Sequence, residues 1–350
     1  MALKSLKTIS ALALASISFY SQAKEVTYPD SIPMQAPLAK SIRTSYWTFE
    51  YTYTRTTQNG LLAGNSAVNP ESVLQSSNYT KLPYTGNDCS VSTLGCGISN
   101  LGYRLNGTRH WLKIKYQQNT DLSWMAKFNY LSNYSNAYDK PNATATTTSL
   151  TATSGGISDI QLFMTKKFQR SYWVDISFTI GLNIPLGSIN QVYNIKDEFG
   201  NTVTAPYYLQ LGSGTYDIIT ALNFDGSYQS FDYEFQLSRV NRTGLNLQYY
   251  NFGDTLDISG KGKYTFSFGT QLRGGLIQHI WSPIEGQDER ISYNTRYSGG
   301  KRLDLLMGVG QDYKDFSVYL DYYYPLLQYL NGVQMKTTGI LSLGLSYKYK

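Results

Sequence analysis

The chain has 350 residues and a formal net charge of +6. Hydrophobic residues make up 41% but charged ones only 15%, and Tyr alone contributes 32 residues. So mild a charge gives no case for a nucleic-acid partner. Few charges and much aromatic surface describe a β-rich protein better than a helical one.

Residues 1–23 read as a secretory signal peptide. Lys4 and Lys7 supply the positive start, Thr8 to Tyr20 a short apolar core, and Ser21-Gln22-Ala23 the small residues of a cleavage site. Removing the two lysines takes the formal charge from +6 to +4. No later run of about 18 apolar residues could form a transmembrane helix. A membrane barrel is still open, because its strands alternate and have low mean hydropathy. Residues 24–43 have no clean period and read as a leader or a small plug.

From residue 44 onward the period is two. Trp47, Phe49, Tyr51 and Tyr53 alternate with Thr48, Glu50, Thr52 and Thr54. A long polar stretch over 56–98 reads as a surface loop. It holds Cys89 and Cys96, which in an exported chain are expected to form a local disulfide. A metal or redox pair there would lack a nearby His and the CxxC spacing. Asn106-Gly107 is a hairpin-type dipeptide. Leu112, Ile114 and Tyr116 oppose Trp111, Lys113 and Lys115. Trp124, Ala126, Phe128 and Tyr130 oppose Ser123, Met125, Lys127 and Asn129. The Thr/Ser-rich run 141–156 reads as a loop, and Ile157 to Phe168 as a less regular strand. Tyr172 to Ile184 is a long clean strand, with Asp175 on its polar face. A polar loop covers 187–209.

Leu211 to Val240 reads as a hairpin. Tyr216, Ile218, Thr220, Leu222 and Phe224 share one face, and Asp217 lies on the other. Phe231, Tyr233, Phe235 and Leu237 oppose Asp232, Glu234 and Gln236. Asp225-Gly226 is the expected turn. Lys263 opposes Tyr264 and Phe266 in a later strand. Leu303 to Val309 and Phe316 to Tyr322 form another hairpin, with Asp321 on its polar face, and Leu341 to Tyr349 closes the chain.

The strands are about ten residues long, enough to cross a bilayer when tilted. Short turns alternate with long loops, and aromatics recur at strand ends. A soluble sandwich would use shorter strands. The expected fold is an all-β antiparallel transmembrane barrel of about 12 strands (range 10–14), over 44–350, in the outer membrane of a Gram-negative bacterium. Tyr349 fits the terminal aromatic of such barrels, although Lys350 follows it.

Four stretches resemble the phenol-degradation meta-pathway transporter family, outer-membrane barrels related to long-chain fatty-acid transporters. They are Gly181 to Gly187 (GLNIPLG), Leu211 to Asp217 (LGSGTYD), Tyr250 to Asp254 (YNFGD) and Pro325 to Gly332 (PLLQYLNG), the last similar to that family's final loop. The resemblance spans roughly 155–350. It implies a channel for passive uptake of small solutes, hydrophobic or aromatic ones among them.

No GxSxG, HExxH or CxxC pattern is present. The two histidines, His110 and His279, read as interface or loop residues. No cofactor or metal is expected, and the partners expected are outer-membrane lipid and a small-molecule solute. The candidate site is therefore the inward face. On this register Glu50, Lys113, Lys115, Lys127, Asp175, Asp217, Asp232, Glu234, Lys263 and Asp321 point to the lumen. Their mixed sign predicts internal ion pairs or a transverse field. A structural or surface-binding barrel that acts through its long loops is the alternative reading, and a membrane-embedded hydrolase a third.

Overall fold

The computed structural model describes residues 45–70, 73, 100–139, 148–171, 173–196, 202–291 and 295–349. The signal peptide, the leader, Cys89 and Cys96 lie outside the described residues. In chain order the strands are β1 (Tyr46–Gly64), β2 (Ser66–Val68), β3 (Asn100–Gln117), β4 (Leu122–Asp139), β5 (Thr148–Ile157), β6 (Ile160–Arg170), β7 (Asp175–Ile184), β8 (Val192–Lys196), β9 (Thr202–Thr204), β10 (Asp217–Tyr228), β11 (Phe231–Arg242), β12 (Tyr250–Asn251), β13 (Thr255–Thr265), β14 (Thr270–Trp281), β15 (Glu285–Gly286), β16 (Gly300–Tyr313) and β17 (Phe316–Tyr349).

Eleven of them form one closed antiparallel ring, in the order β1, β3, β4, β6, β7, β10, β11, β13, β14, β16, β17. The ring closes where β17 pairs β1, with Trp47 opposite Tyr349. Two further strands join its upper rim, the end with the long connections. β2 folds back on β1, and β5 pairs the upper part of β4 while β6 takes the lower part.

β17 has 34 residues, roughly 110 Å if straight. It cannot be straight. Phe316 to Leu330 pairs with β16, and Leu330 to Tyr349 pairs with β1. The Phe316 and Tyr347 rings lie 5.0 Å apart, and the Lys348 N–H donates to the Asp315 carbonyl at 2.9 Å. β17 therefore doubles back at Asn331-Gly332, and the eleven strands cross the wall twelve times.

The alternation sorts the two faces as expected. Phe49, Tyr51, Leu112, Phe128, Ile180, Leu320, Leu343 and Leu345 are all exposed, and each adjoins a buried or half-buried inward residue. Exposed aromatics such as Trp47, Trp124, Phe231, Tyr264 and Tyr349 lie near the strand ends at the short turns. This is the apolar band and aromatic girdle of a lipid-facing barrel wall.

Several turn assignments move. Asp225-Gly226 lies inside β10, and the turn is Gln229-Ser230, with Gln229 at φ 54°. Gly226 serves close approach: a Cβ there would sit 2.3 Å from the Trp173 carbonyl and from the Tyr233 ring. Asn106-Gly107 lies inside β3, paired with Tyr134 and Asn133. Residues 148–156 of the Thr/Ser-rich run belong to strand β5, which ends at Ile157. The clean strand starts at Asp175, not Tyr172. Pro325 to Leu330 is strand, and Pro325 sits beside a bulge at Leu303/Asp304, where a missing N–H is tolerated.

The lipid-facing band predicts an asymmetric response to charge. Leu343→Arg should cost about 2–4 kcal/mol, and Leu343→Phe far less. Reversible unfolding in lipid vesicles measures both.

Candidate functional site

All ten predicted residues lie on inward strand positions, and most are tied together. Glu50 on β1 and Lys113 on β3 are direct cross-strand partners, with Lys113 Nζ 2.9 Å from Glu50 Oε1. Both are almost wholly buried. The Tyr319 hydroxyl donates to the same oxygen at 2.8 Å, and Thr52 Oγ1 at 3.1 Å. Asp232 pairs Lys263 at 3.1 Å, and Glu234 pairs Lys261 at 3.6 Å. Asp321 pairs Arg273 at 3.1 Å across the intervening strand, and Arg273 also lies 4.3 Å from the Tyr319 ring centre. Asp175 pairs Lys167. The Lys127 ammonium lies 5.1 Å from the Phe163 ring centre and 5.6 Å from that of Trp111.

Ordered around the ring, these charges fall into four arcs of alternating sign. Lys113, Lys115, Lys127 and Lys167 are positive on β3, β4 and β6. Asp175, Asp225, Asp232 and Glu234 are negative on β7, β10 and β11. Lys261, Lys263 and Arg273 are positive on β13 and β14. Asp321 and Glu50 are negative on β17 and β1. An ion pair bridges each of the four boundaries. Removing one partner of such a buried pair costs far more than the pair is worth, because the other charge is left desolvated.

Asp217, the remaining candidate, belongs to a second network nearer the upper rim. Asn183 Nδ2 donates to Asp217 Oδ2 at 2.9 Å and to Asp159 Oδ2 at 3.0 Å. Arg242 also pairs Asp217. Asp159 additionally accepts from Gly187 N at 3.0 Å, Ser213 N at 2.8 Å and Ser213 Oγ at 2.7 Å. This knot anchors the segment between β7 and β10, which turns into the barrel. Gly187 and Gly212 touch backbone to backbone there, and a Cβ on Gly212 would lie 2.3 Å from the Gly187 carbonyl oxygen.

Beyond the knot, the segment packs Tyr193, Ala205 and Leu209 against Leu105 of β3 and Ala152 of β5. The Tyr208 hydroxyl accepts from Ser135 Oγ of β4 at 3.3 Å, and burial raises its pKa above the ordinary phenol value. Tyr207 Oη accepts from Asp288 N at 2.9 Å. The segment after β7 thus reaches the β3–β4 side of the interior and joins the loop after β14.

A third network links Asp257, His279, Asp304 and Arg302. Asp257 contacts His279 Nδ1, and His279 Nε2 lies 3.5 Å from Asp304. Arg302 binds Asp304 at 2.9 Å and Thr337 at 2.7 Å. His279 is therefore a buried inward residue bracketed by carboxylates, not an interface or loop residue. His110 faces outward among Tyr51, Tyr53 and Tyr130, and shares a 2.7 Å hydrogen bond with Tyr51. No group of three metal-ligating side chains converges among the described residues.

Sequence reasoning missed Asp225, which it placed in a turn, and Asp159, which it placed inside the strand Ile157 to Phe168 and which the structure puts in the break between β5 and β6. It also missed Lys167, Lys261, Arg273, Asp257, Asp304 and Arg302. Lys261 was accessible from its two-residue spacing to Lys263. Asp159 had no local signal, because its partners are 24 to 54 residues away.

No family model and no curated protein matches the chain. Among solved structures, it is similar to an outer membrane channel from Pseudomonas putida F1, with a TM-score of 0.56 at 13% identity, over 93% of this chain and 100% of that one. A FadL homologue from Pseudomonas aeruginosa aligns with a TM-score of 0.41 at 10% identity, over 87% of this chain and 90% of that one. The Ralstonia pickettii toluene transporter TbuX aligns with 0.42 at 9%, over the same shares. The first likeness shows the fold, an outer-membrane-type barrel. The phenol-degradation label is not confirmed.

The Asp159 knot gives a direct test. Asp159→Ala strands four buried donor groups and should cost about 3 kcal/mol or more. Limited proteolysis should then cut within 185–216 at protease levels that leave the parent protein whole.

Proposed function

We propose that the protein is a passive channel of the outer membrane of a Gram-negative bacterium, exported by its N-terminal segment, that admits small solutes. The observation behind this reading is the contrast across one wall. At the levels where the outer face is Leu, Phe and Ile, the inner face is charged and amide-bearing. Such a wall offers a hydrophilic path through hydrocarbon, where desolvating a charge would otherwise cost several kcal/mol. The chemistry of the belt favours polar solutes, and the expectation of hydrophobic or aromatic cargo draws no support from it.

The inserted segment after β7 is the size-limiting element in this reading. It reaches from the Asp159 knot to Tyr208 and Ser135 on β4, and packs beneath the upper rim. Mixed charges below it argue against a simple cation or anion filter.

Purified protein in planar bilayers should conduct ions and, in liposomes, speed swelling by small neutral solutes. Electrically silent, impermeable protein would refute the channel. Gln191 and Ala205 are already joined by a 2.8 Å backbone hydrogen bond. Replacing 192–204 with a two-residue turn should therefore keep the fold and raise single-channel conductance.

A further inference from the structure

One sector of the outward face carries cations above its apolar band. Arg55 on β1, Arg104 on β3 and Lys336 on the second half of β17 are all exposed. Each keeps the outward side of its strand. Arg55 follows Tyr51 and Tyr53 at every second position, Arg104 leads by the same step to His110 and Leu112, and Lys336 adjoins the buried Thr337. Arg104 lies opposite Asn59, and Thr337 lies opposite Gln58. Arg104 and Lys336 therefore flank the exposed Asn59 from its two neighbouring strands, with backbones roughly 10 Å apart across the sheet. Arg55 sits below them on β1, beside Thr108 and Leu341.

No protein group neutralises these charges. None of the three has an ion pair or a side-chain hydrogen bond among the described residues. Glu50 and Asp321 are the acids of β1, β3 and β17, and both face inward. Elsewhere on the outward face Arg239 has its own carboxylate, Asp254, at 2.7 Å.

Their height matters as much as their charge. Asn59 lies twelve residues beyond Trp47, which belongs to the aromatic girdle at the short turns. At about 3.3 Å per residue and a tilt near 40°, that is roughly 30 Å along the barrel axis, the thickness of the hydrocarbon core. Arg104 and Lys336 thus stand at the level of the outer headgroups. Arg55, lower by about 10 Å, reaches the same level with a long side chain that snorkels upward past Tyr53.

We propose that Arg55, Arg104 and Lys336 bind the phosphorylated headgroup of lipopolysaccharide, the anionic glycolipid of the outer leaflet. Two cations on either side of Asn59 can hold one phosphate between them, and a guanidinium meets phosphate oxygens in a two-pronged contact. The Asn59 amide adds a donor at the centre. The acyl chains would lie on the face below, along Tyr51, Leu112, Leu343 and Leu345. This rests on the outer-membrane placement and not on passage of solutes.

The test titrates detergent-solubilised protein with bisphosphorylated lipid A and with lipid A stripped of its phosphates, read by microscale thermophoresis. The parent protein should bind the phosphorylated lipid at least about tenfold more tightly. Arg55→Gln, Arg104→Gln and Lys336→Gln together should bring the two affinities to parity, with heat-modifiable migration confirming the fold. Lys166→Gln, which removes an exposed cation at the lower end, should keep the preference. Millimolar inorganic phosphate should leave the lipid bound. Equal affinities in the parent protein, an unchanged preference in the triple variant or its loss in Lys166→Gln overturns the inference. Displacement by inorganic phosphate also overturns it, assigning the cations to a free anion. An electrically silent protein that keeps the lipid preference ends the channel reading and leaves this one standing.

Discussion

Within hydrocarbon there is no water to satisfy a backbone N–H or C=O, so a spanning sheet must have no edge. Here that constraint is met by one seam. β1 and the second half of β17 pair from Trp47 opposite Tyr349 to Gly64 opposite Leu330. The seam joins the first and last described strands, so the wall closes only when nearly the whole chain is in place. Within this seam, irregularity falls toward the upper rim. The register of this seam slips at Thr57/Gln58 and again at Gln58/Leu61, while the lower run from Trp47 to Thr57 is unbroken.

Closure also decides what the interior can hold. Side chains on one arc face others around the same ring, and a lone charge would be costly in so enclosed a space. Sorting the charges into arcs of alternating sign, with an ion pair at each boundary, neutralises most of them without a local excess. Cross-strand pairs cost little extra order, because the sheet already places partners such as Glu50 and Lys113 side by side. Tyr319 links two arcs, donating to Glu50 while its ring meets Arg273. The ion pairs thus brace the wall from within.

The period of two was legible because it is written locally: Phe49, Tyr51 and Tyr53 against Glu50 and Thr52 need no knowledge of neighbours. It fixed the strand crossings, the lipid face and the ten inward candidates. Turn positions were less legible. Asp225-Gly226 and Asn106-Gly107 carry turn chemistry, yet tight packing of Tyr233 over Gly226 explains the first glycine instead. Strand β5 was hidden by a Thr/Ser composition that reads as loop. Partner identity was not legible, because Glu50 meets Lys113 across 63 residues and Tyr319 across 269. Such contacts depend on register, and register depends on where each turn falls.

The interior has two kinds of construction, and the difference bears on how selection would work. Around Glu50, Asp232 and Lys263 it is polar and held by ions. Toward the upper rim it is built like a soluble core, with Tyr193, Ala205 and Leu209 against Leu105, and Tyr207, Tyr250 and Phe252 against Ile284 and Ile291. The two are joined by the Asp159 knot, where Asn183, Gly187 and Ser213 converge. A carboxylate with four donors suits that position, since it fixes the entry of the inserted segment while exposing no apolar group to the belt. Packed apolar contacts set the dimensions of a passage more rigidly than hydrated side chains do. In the channel proposed above, size discrimination would therefore belong to the upper construction and charge discrimination to the lower one, with the knot holding the first over the second.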